Sequence, residues 1–411
     1  MNSAYYKNIT IYEVNLRQYT CKGDIQSFIT HLYRLKEMGI EVIWLMPIHP
    51  IGIINRKGSL GSPYTCSDFY KINPDFGTAE DFKFLVETVH NLGMRIIIDW
   101  VANHTSWDHV WTESNPEYYI KDESGNFISP YDWTDVIQLN HHHESMHNAM
   151  IDAMKYWISE YDIDGFRADI AHLSPLDFWK RCRNEIEIIK PDLIWLGETE
   201  DSNYYQAFDL IYAWDWMHQT KNFIDKNISK NDFDIFLQSM QSSPRLYFTS
   251  NHDENSWNGT EFEKYGIYAK ALSVFTFIFP NSVPLIYSGQ EIPNLNRLSF
   301  FDKDEIDWKR DVQLYSFYKT LIEERKQILN ELQIEYIPSN KKMIAFRLNN
   351  DEEMFFIFLS FEEESLSFEY NLSNKEYGFY KNIFSSKIER YDSNINLELS
   401  PGEYIVLRQI K

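Results

Sequence analysis

The chain has 411 residues, of which 44% are apolar, 24% charged and 16% aromatic. Those proportions exclude intrinsic disorder, and the length suffices to bury a large core without disulfide or metal staples. A net charge of −22, from 39 basic and 61 acidic residues, argues against nucleic acid or an anionic membrane as the partner.

The segment Met1-Asn2-Ser3-Ala4-Tyr5-Tyr6-Lys7-Asn8 has no apolar signal-peptide core. No run of about 18 apolar residues follows, so no membrane-spanning helix is expected. Cys21, Cys66 and Cys182 are odd in number and widely spaced. That pattern reads as reduced thiols in a cytoplasmic protein, not as a disulfide framework.

Short apolar runs alternate with amphipathic helices through the first four-fifths of the chain. A strand is predicted over 9–14 and a helix over 24–38, closed by Gly39 in the position of a C-cap glycine. A buried strand over 42–46 follows. The next helix opens at Thr78 with Asp81 as capping-box partner, and Gly93 ends it before a strand over 95–99. Ser174-Pro175 predicts a helix start with a cap residue and a proline at the first helical position. Further strands are predicted over 163–168, 193–197, 210–213, 246–249 and 283–287, making eight in all. Eight βα units imply an α/β fold closed as a (β/α)8 barrel more readily than an open doubly wound sheet.

Two segments depart from this rhythm. Residues 104–144 are long, aromatic and broken by Pro116, Gly125 and Pro130, a short excursion after strand 3. From about 330 the pattern turns to alternation, as in Met343-Ile344-Ala345-Phe346-Arg347-Leu348, which predicts an antiparallel β domain. The expected organisation is a barrel over 1–103 and 145–329, an inserted segment over 104–144 and a C-terminal β-sandwich over 330–411.

Chemistry in a barrel gathers where strands end at their C-terminal side. Predicted strand ends carry Asp99 and His104, Arg167 and Asp169, Glu198, and His252 and Asp253. A lone Asp after a strand usually caps a helix or makes a turn. Three carboxylates at one barrel mouth are different. They suit glycoside hydrolysis, in which one attacks the anomeric carbon and a second, kept protonated, serves the leaving oxygen. Like charges at close range raise one of the two pKa values and so supply the acid. The 12 Trp, 27 Tyr and 28 Phe offer flat apolar faces for sugar rings, though most belong to the core.

These motifs resemble those of the α-amylase family, glycoside hydrolase family 13, along the whole chain. The residues that carry the resemblance are Asp99-Trp100-Val101-Ala102-Asn103-His104, Gly165-Phe166-Arg167-Ala168-Asp169, Glu198, and Asn251-His252-Asp253. Ser62-Pro63-Tyr64, Gln138-Leu139-Asn140 and Gly289-Gln290-Glu291 add to them. The resemblance implies Asp169 as nucleophile, Glu198 as acid then base, and Asp253 as the holder of sugar hydroxyls. It implies Arg167 orienting Asp169, Asp99 bracing Arg167, His104 and His252 bonding sugar hydroxyls, and Tyr64 stacking on the ring at the cleaved position. It further implies retention of configuration, with carboxyl groups about 5–5.5 Å apart, an α-glucan or maltooligosaccharide substrate, and no catalytic cofactor.

Departures from the family pattern are also visible. Asn103 matches one usual calcium ligand, but Leu173 stands where the family has a histidine, with His172 one position early. The usual calcium site is therefore not expected. Ile170, after the nucleophile, leaves α-1,4 against α-1,6 preference open. A glucanotransferase, trehalose-forming or debranching member of the family shares the same covalent intermediate. Two alternatives come from other classes: a non-catalytic family relative, and a zinc hydrolase built on His143-Glu144-Ser145-Met146-His147, which satisfies H-E-x-x-H. The sequence carries no reading of oligomeric state.

Overall fold

The computed structural model describes residues 6, 9–240, 243–309, 314–328 and 332–410. Eight short strands form its centre: β1 (Ile11–Val14), β2 (Val42–Leu45), β3 (Arg95–Trp100), β4 (Gly165–Ala168), β5 (Ile194–Gly197), β6 (Leu210–Tyr212), β7 (Arg245–Tyr247) and β8 (Ser282–Tyr287). Apart from Arg95, every side chain on them is buried. Strands covered on both faces belong in a parallel sheet wrapped by helices, and here each pairs in parallel with its neighbours until β8 meets β1. The expected (β/α)8 barrel is present. At Gly165 a Cβ would lie 2.0 Å from the Ile194 carbonyl oxygen, so only glycine fits between β4 and β5 there.

Local signals set the helices around it. Thr78 and Asp81 form the reciprocal capping box of the helix Ala79–Asn91. Gly39, at φ 105°, closes the helix Leu32–Met38 in the left-handed conformation. The helix expected over 24–38 is in fact two, Ile25–Ile29 and Leu32–Met38. Between them the Thr30 hydroxyl donates to the Ser27 carbonyl at 2.7 Å, a side-chain bond that competes with the helical ladder. The helix expected to start with Pro175 at its first position is Leu176–Ile186, one residue later. Pro175 is its N-cap, with an extended ψ of 137°.

Within 104–144, His104–Ser106 and Val136–Gln138 pair as a two-stranded antiparallel ribbon beside the barrel mouth. The C-terminal part consists of β9 (Gln333–Tyr336), β10 (Met343–Asn349), β11 (Met354–Ser360), β12 (Leu366–Asn371), β13 (Gly378–Asn382), β14 (Ile388–Tyr391), β15 (Asn394–Leu399) and β16 (Tyr404–Ile410). Six of these make an antiparallel sheet in the order β9-β10-β11-β16-β13-β14, and β12 pairs with β15. Phe356, Phe358 and Tyr380 of the larger sheet share one core with Ile395 and Leu397 of the smaller. The expected boundary at 329/330 lies outside the described residues. Among the described residues no helix is long and apolar enough to cross a membrane.

One buried acid makes the barrel pH-sensitive. Glu261 accepts from Thr249 at 2.8 Å and from Gln290 at 2.7 Å. Burial pushes its carboxyl up to about 7, against the pull of these two bonds. A carboxyl raised on folding favours the folded state below its unfolded pKa, and that contribution is lost as pH climbs through about 7. Glu261→Gln should therefore gain thermal stability over the wild type by a few degrees between pH 5 and pH 8. Paired melts across that range would read this, and a constant difference would contradict it.

Candidate active site

The C-terminal ends of β2, β3, β4, β5 and β7 and the loops beyond them surround a cavity of about 430 Å³. Tyr64, His104, Asp169, Glu198, His252 and Asp253 line it. Asp99 and Arg167, the other two residues singled out in the sequence, are not among its lining and are fully buried.

Arg167 is the hub. Its Nη1 donates at 2.9 Å to Asp99 Oδ1 and at 2.9 Å to Asp169 Oδ1. Its Nη2 lies 2.8 Å from Glu198 Oε2, but not aligned as a hydrogen bond. Nε donates to Tyr212 at 3.1 Å, and the guanidinium carbon sits 5.1 Å from the centre of the Trp44 ring. A buried cation with no counter-charge would be untenable. Burial does push Arg167 down, but Asp99 and Glu198 more than reverse this and keep it charged.

The carboxyls respond unequally. Burial raises Glu198, and Asp169 and Asp253 raise it further, against the pull of Arg167. Burial raises Asp169 as well, but Asp169 holds an aligned hydrogen bond from the guanidinium, and Glu198 does not. Arg167 thus pulls Asp169 towards the ionised form through an aligned bond that Glu198 lacks, while burial raises both carboxyls. Asp99 is pushed up to about 7 by burial. Ile170, next to Asp169, stands at φ 36°, a strained conformation for a β-branched residue. In that pose its N–H donates to Glu198 Oε2 at 2.7 Å.

A second chain of bonds fixes His252. Tyr64 donates to Asp99 Oδ2 at 3.0 Å, so its oxygen is left to accept from His252 Nε2 at 2.7 Å. The other ring nitrogen faces Glu13 Oε1 at 2.5 Å. Both nitrogens therefore carry protons. Burial alone lowers the imidazole, but Asp253 and Glu13 outweigh it and push it up to about 9. His104, buried beside Trp133 with ring centres 5.6 Å apart, is instead driven down to about 4 by burial and is neutral.

Glu13, Trp44 and Tyr212 were given no role from the sequence, yet they pack against His252 and Arg167. The available signal was Glu13 itself, a carboxylate within the otherwise apolar strand Ile11-Tyr12-Glu13-Val14. The raised His252 stabilises the fold fully below its unfolded pKa, and that contribution is lost as pH rises through about 9. Glu13→Gln should flatten part of the fall in stability above pH 6.5, namely the part that Asp253 does not supply. Denaturant melts from pH 6 to 10 would show it, and parallel wild-type and variant curves would refute it.

The H-E-x-x-H histidines do not converge. His143 is the N-cap of the helix Glu144–Tyr161, outside its helical turns, with its ring 5.5 Å from that of Tyr118. His147 faces His141 at 3.1 Å and Phe178. Among the described residues no group of three or more His, Cys, Asp or Glu gathers to hold a metal ion.

Comparison with known proteins bears on this arrangement. A family model described as the α-amylase catalytic domain matches residues 7–135 and 115–317, most of the chain. The chain belongs to the α-amylase family. A maltogenic α-amylase from Thermotoga neapolitana has a similar structure, with a TM-score of 0.89 and 30% identity over 98% of this chain and 99% of that one. α-Amylase 2 of Dictyoglomus thermophilum is 26% identical over 94% of this chain and 71% of its own length. The intracellular maltogenic amylase of Bacillus subtilis strain 168 is 26% identical over 94% of this chain and 69% of its own. As an α-amylase family member the protein is a retaining glycoside hydrolase.

Proposed function

We propose that this enzyme hydrolyses α-glucosidic bonds in short maltooligosaccharides. The observation that carries the reading is Arg167, set against both Asp169 and Glu198 but with an aligned bond to Asp169 alone of the two. Asp169 attacks the anomeric carbon while Glu198 gives its proton to the departing oxygen. A β-glycosyl ester forms on Asp169, and the C–O bond to the leaving sugar breaks. Glu198, now ionised, takes a proton from water. The water oxygen attacks the same carbon, Asp169 leaves, and the α-configuration is restored. Asp253, His252 and His104 bond hydroxyls of the sugar at the cleaved position, and Tyr64 supplies its platform.

No cofactor is needed for these steps. The cavity, at about 430 Å³, has room for a few sugar units. An intracellular setting fits the free thiols Cys66 and Cys182, both buried. Transfer to a sugar hydroxyl in place of water uses the same intermediate and is the second reading. Chromatography of digests of maltoheptaose, panose, isomaltose, pullulan, sucrose and trehalose is the test. Maltoheptaose should be cut to short α-linked products. Products longer than the substrate would favour transfer, and an uncut panel would overturn the reading.

A further inference from the structure

We infer that the cavity is closed on the side that receives the non-reducing end, so that the enzyme works from chain ends, with the Lys57–Asp135 ion pair as part of the closure. The inference rests on the glycosidase reading above and adds where in the chain it cuts.

Direction follows from topology. Glu198, which serves the leaving sugar, stands at the end of β5. In the closed ring β5 lies opposite β1, and β1 is flanked by β8 and β2. The sugar retained on Asp169 and everything on its non-reducing side therefore lie towards the loops that follow β8 and β2.

Those two loops are stitched together. Leu60 N donates to Phe301 O at 3.0 Å, and both the backbone and the hydroxyl of Ser59 donate to Asp302 Oδ1 at 2.7 Å. Buried Arg17 ties Gly61 O at 2.8 Å to Phe300 O at 3.1 Å. At Gly58, φ 64°, a Cβ would lie 2.5 Å from Phe301 Cβ, so the loops are in direct contact there. On its other flank the β2 loop is tied to the inserted segment. Ile53 N donates to Asp108 Oδ2 at 2.8 Å, and Lys57 Nζ lies 2.8 Å from Asp135 Oδ1. The same ammonium is 6.0 Å from the centre of the Phe301 ring, so one side chain joins all three segments. Asp135 is largely buried, and both members of the pair line the cavity.

The inner surface of this wall is aromatic. The Phe300 ring is 6.1 Å from Tyr64 and within 10° of parallel, and Trp257 stands 5.1 Å further along. Such a surface offers a face to one or two sugar rings and then stops. A chain continuing past it would have to part the stitched loops.

The test compares 4-nitrophenyl α-maltoheptaoside with the same compound whose non-reducing glucose carries a 4,6-O-ethylidene block. The wild type should cut the blocked compound about 100-fold more slowly than the open one, because the block meets a wall built against it. Lys57→Ala should raise the blocked-to-open rate ratio by about 10-fold, and Phe301→Ala reads the same ratio should Lys57→Ala fail to fold. Equal wild-type rates on the two compounds would overturn the closure alone, as would ratios unchanged in both variants. No cleavage of the open compound would overturn the glucan reading and this inference with it.

Discussion

Asp169→Asn should lower kcat on maltoheptaose by about 10⁴-fold or more, the scale on which loss of a nucleophile acts. The amide is nearly isosteric but has no charge with which to attack. Its oxygen can still accept from Arg167 where Asp169 Oδ1 does now, at 2.9 Å. Arg167 retains Asp99 at 2.9 Å and Glu198 at 2.8 Å, so the buried cation is not abandoned. Asp169 is a carboxyl that burial already pushes towards neutrality, and a neutral replacement relieves that cost. The melting temperature should therefore hold or rise while turnover disappears. This combination separates a chemical role from a structural one. A melt lowered by many degrees would assign Asp169 to the scaffold, and activity above about 1% of the wild type would remove it as nucleophile.

Most of the barrel could be read before any coordinates because two signals coincide at its strands. Each is a short apolar run, and β3, β4 and β5 end on or beside charged residues that a buried strand would not otherwise tolerate. Asp99, Arg167, Asp169 and Glu198 stood out for that reason. The misses share another cause. At Thr30 the turn tightens, with His31 N donating to Phe28 O at 2.9 Å, which periodicity does not register. Pro175 caps its helix from outside, and Ser-Pro reads equally well one position earlier. Glu13 meets its partner His252 across 239 residues of chain, so its role exists only once the ring of strands is closed. Lys57 and Asp135 come from two irregular segments with no periodic pattern, and nothing in either predicts their meeting.

Glu198→Gln should separate the two halves of the reaction. On maltoheptaose, whose leaving group needs a proton, kcat should fall by about 10³-fold, within the range for a lost general acid. α-Maltosyl fluoride needs no such proton, because fluoride departs as the anion. With it the glycosyl-enzyme on Asp169 should still form and then accumulate, since no carboxylate remains to deprotonate water. Azide attacks without giving up a proton. Adding it should restore turnover and yield an α-maltosyl azide, with configuration retained through the second displacement. The pH profile supplies an independent reading. Burial holds the Glu198 carboxyl above the usual range, so wild-type activity on maltoheptaose should decline on the alkaline side as that proton is lost. In Glu198→Gln the group that loses it is gone, and azide-rescued turnover of the fluoride should lack that limb. A variant that azide does not rescue would point to lost positioning of Ile170 or Arg167, both of which meet the Glu198 carboxyl, in place of lost acid chemistry.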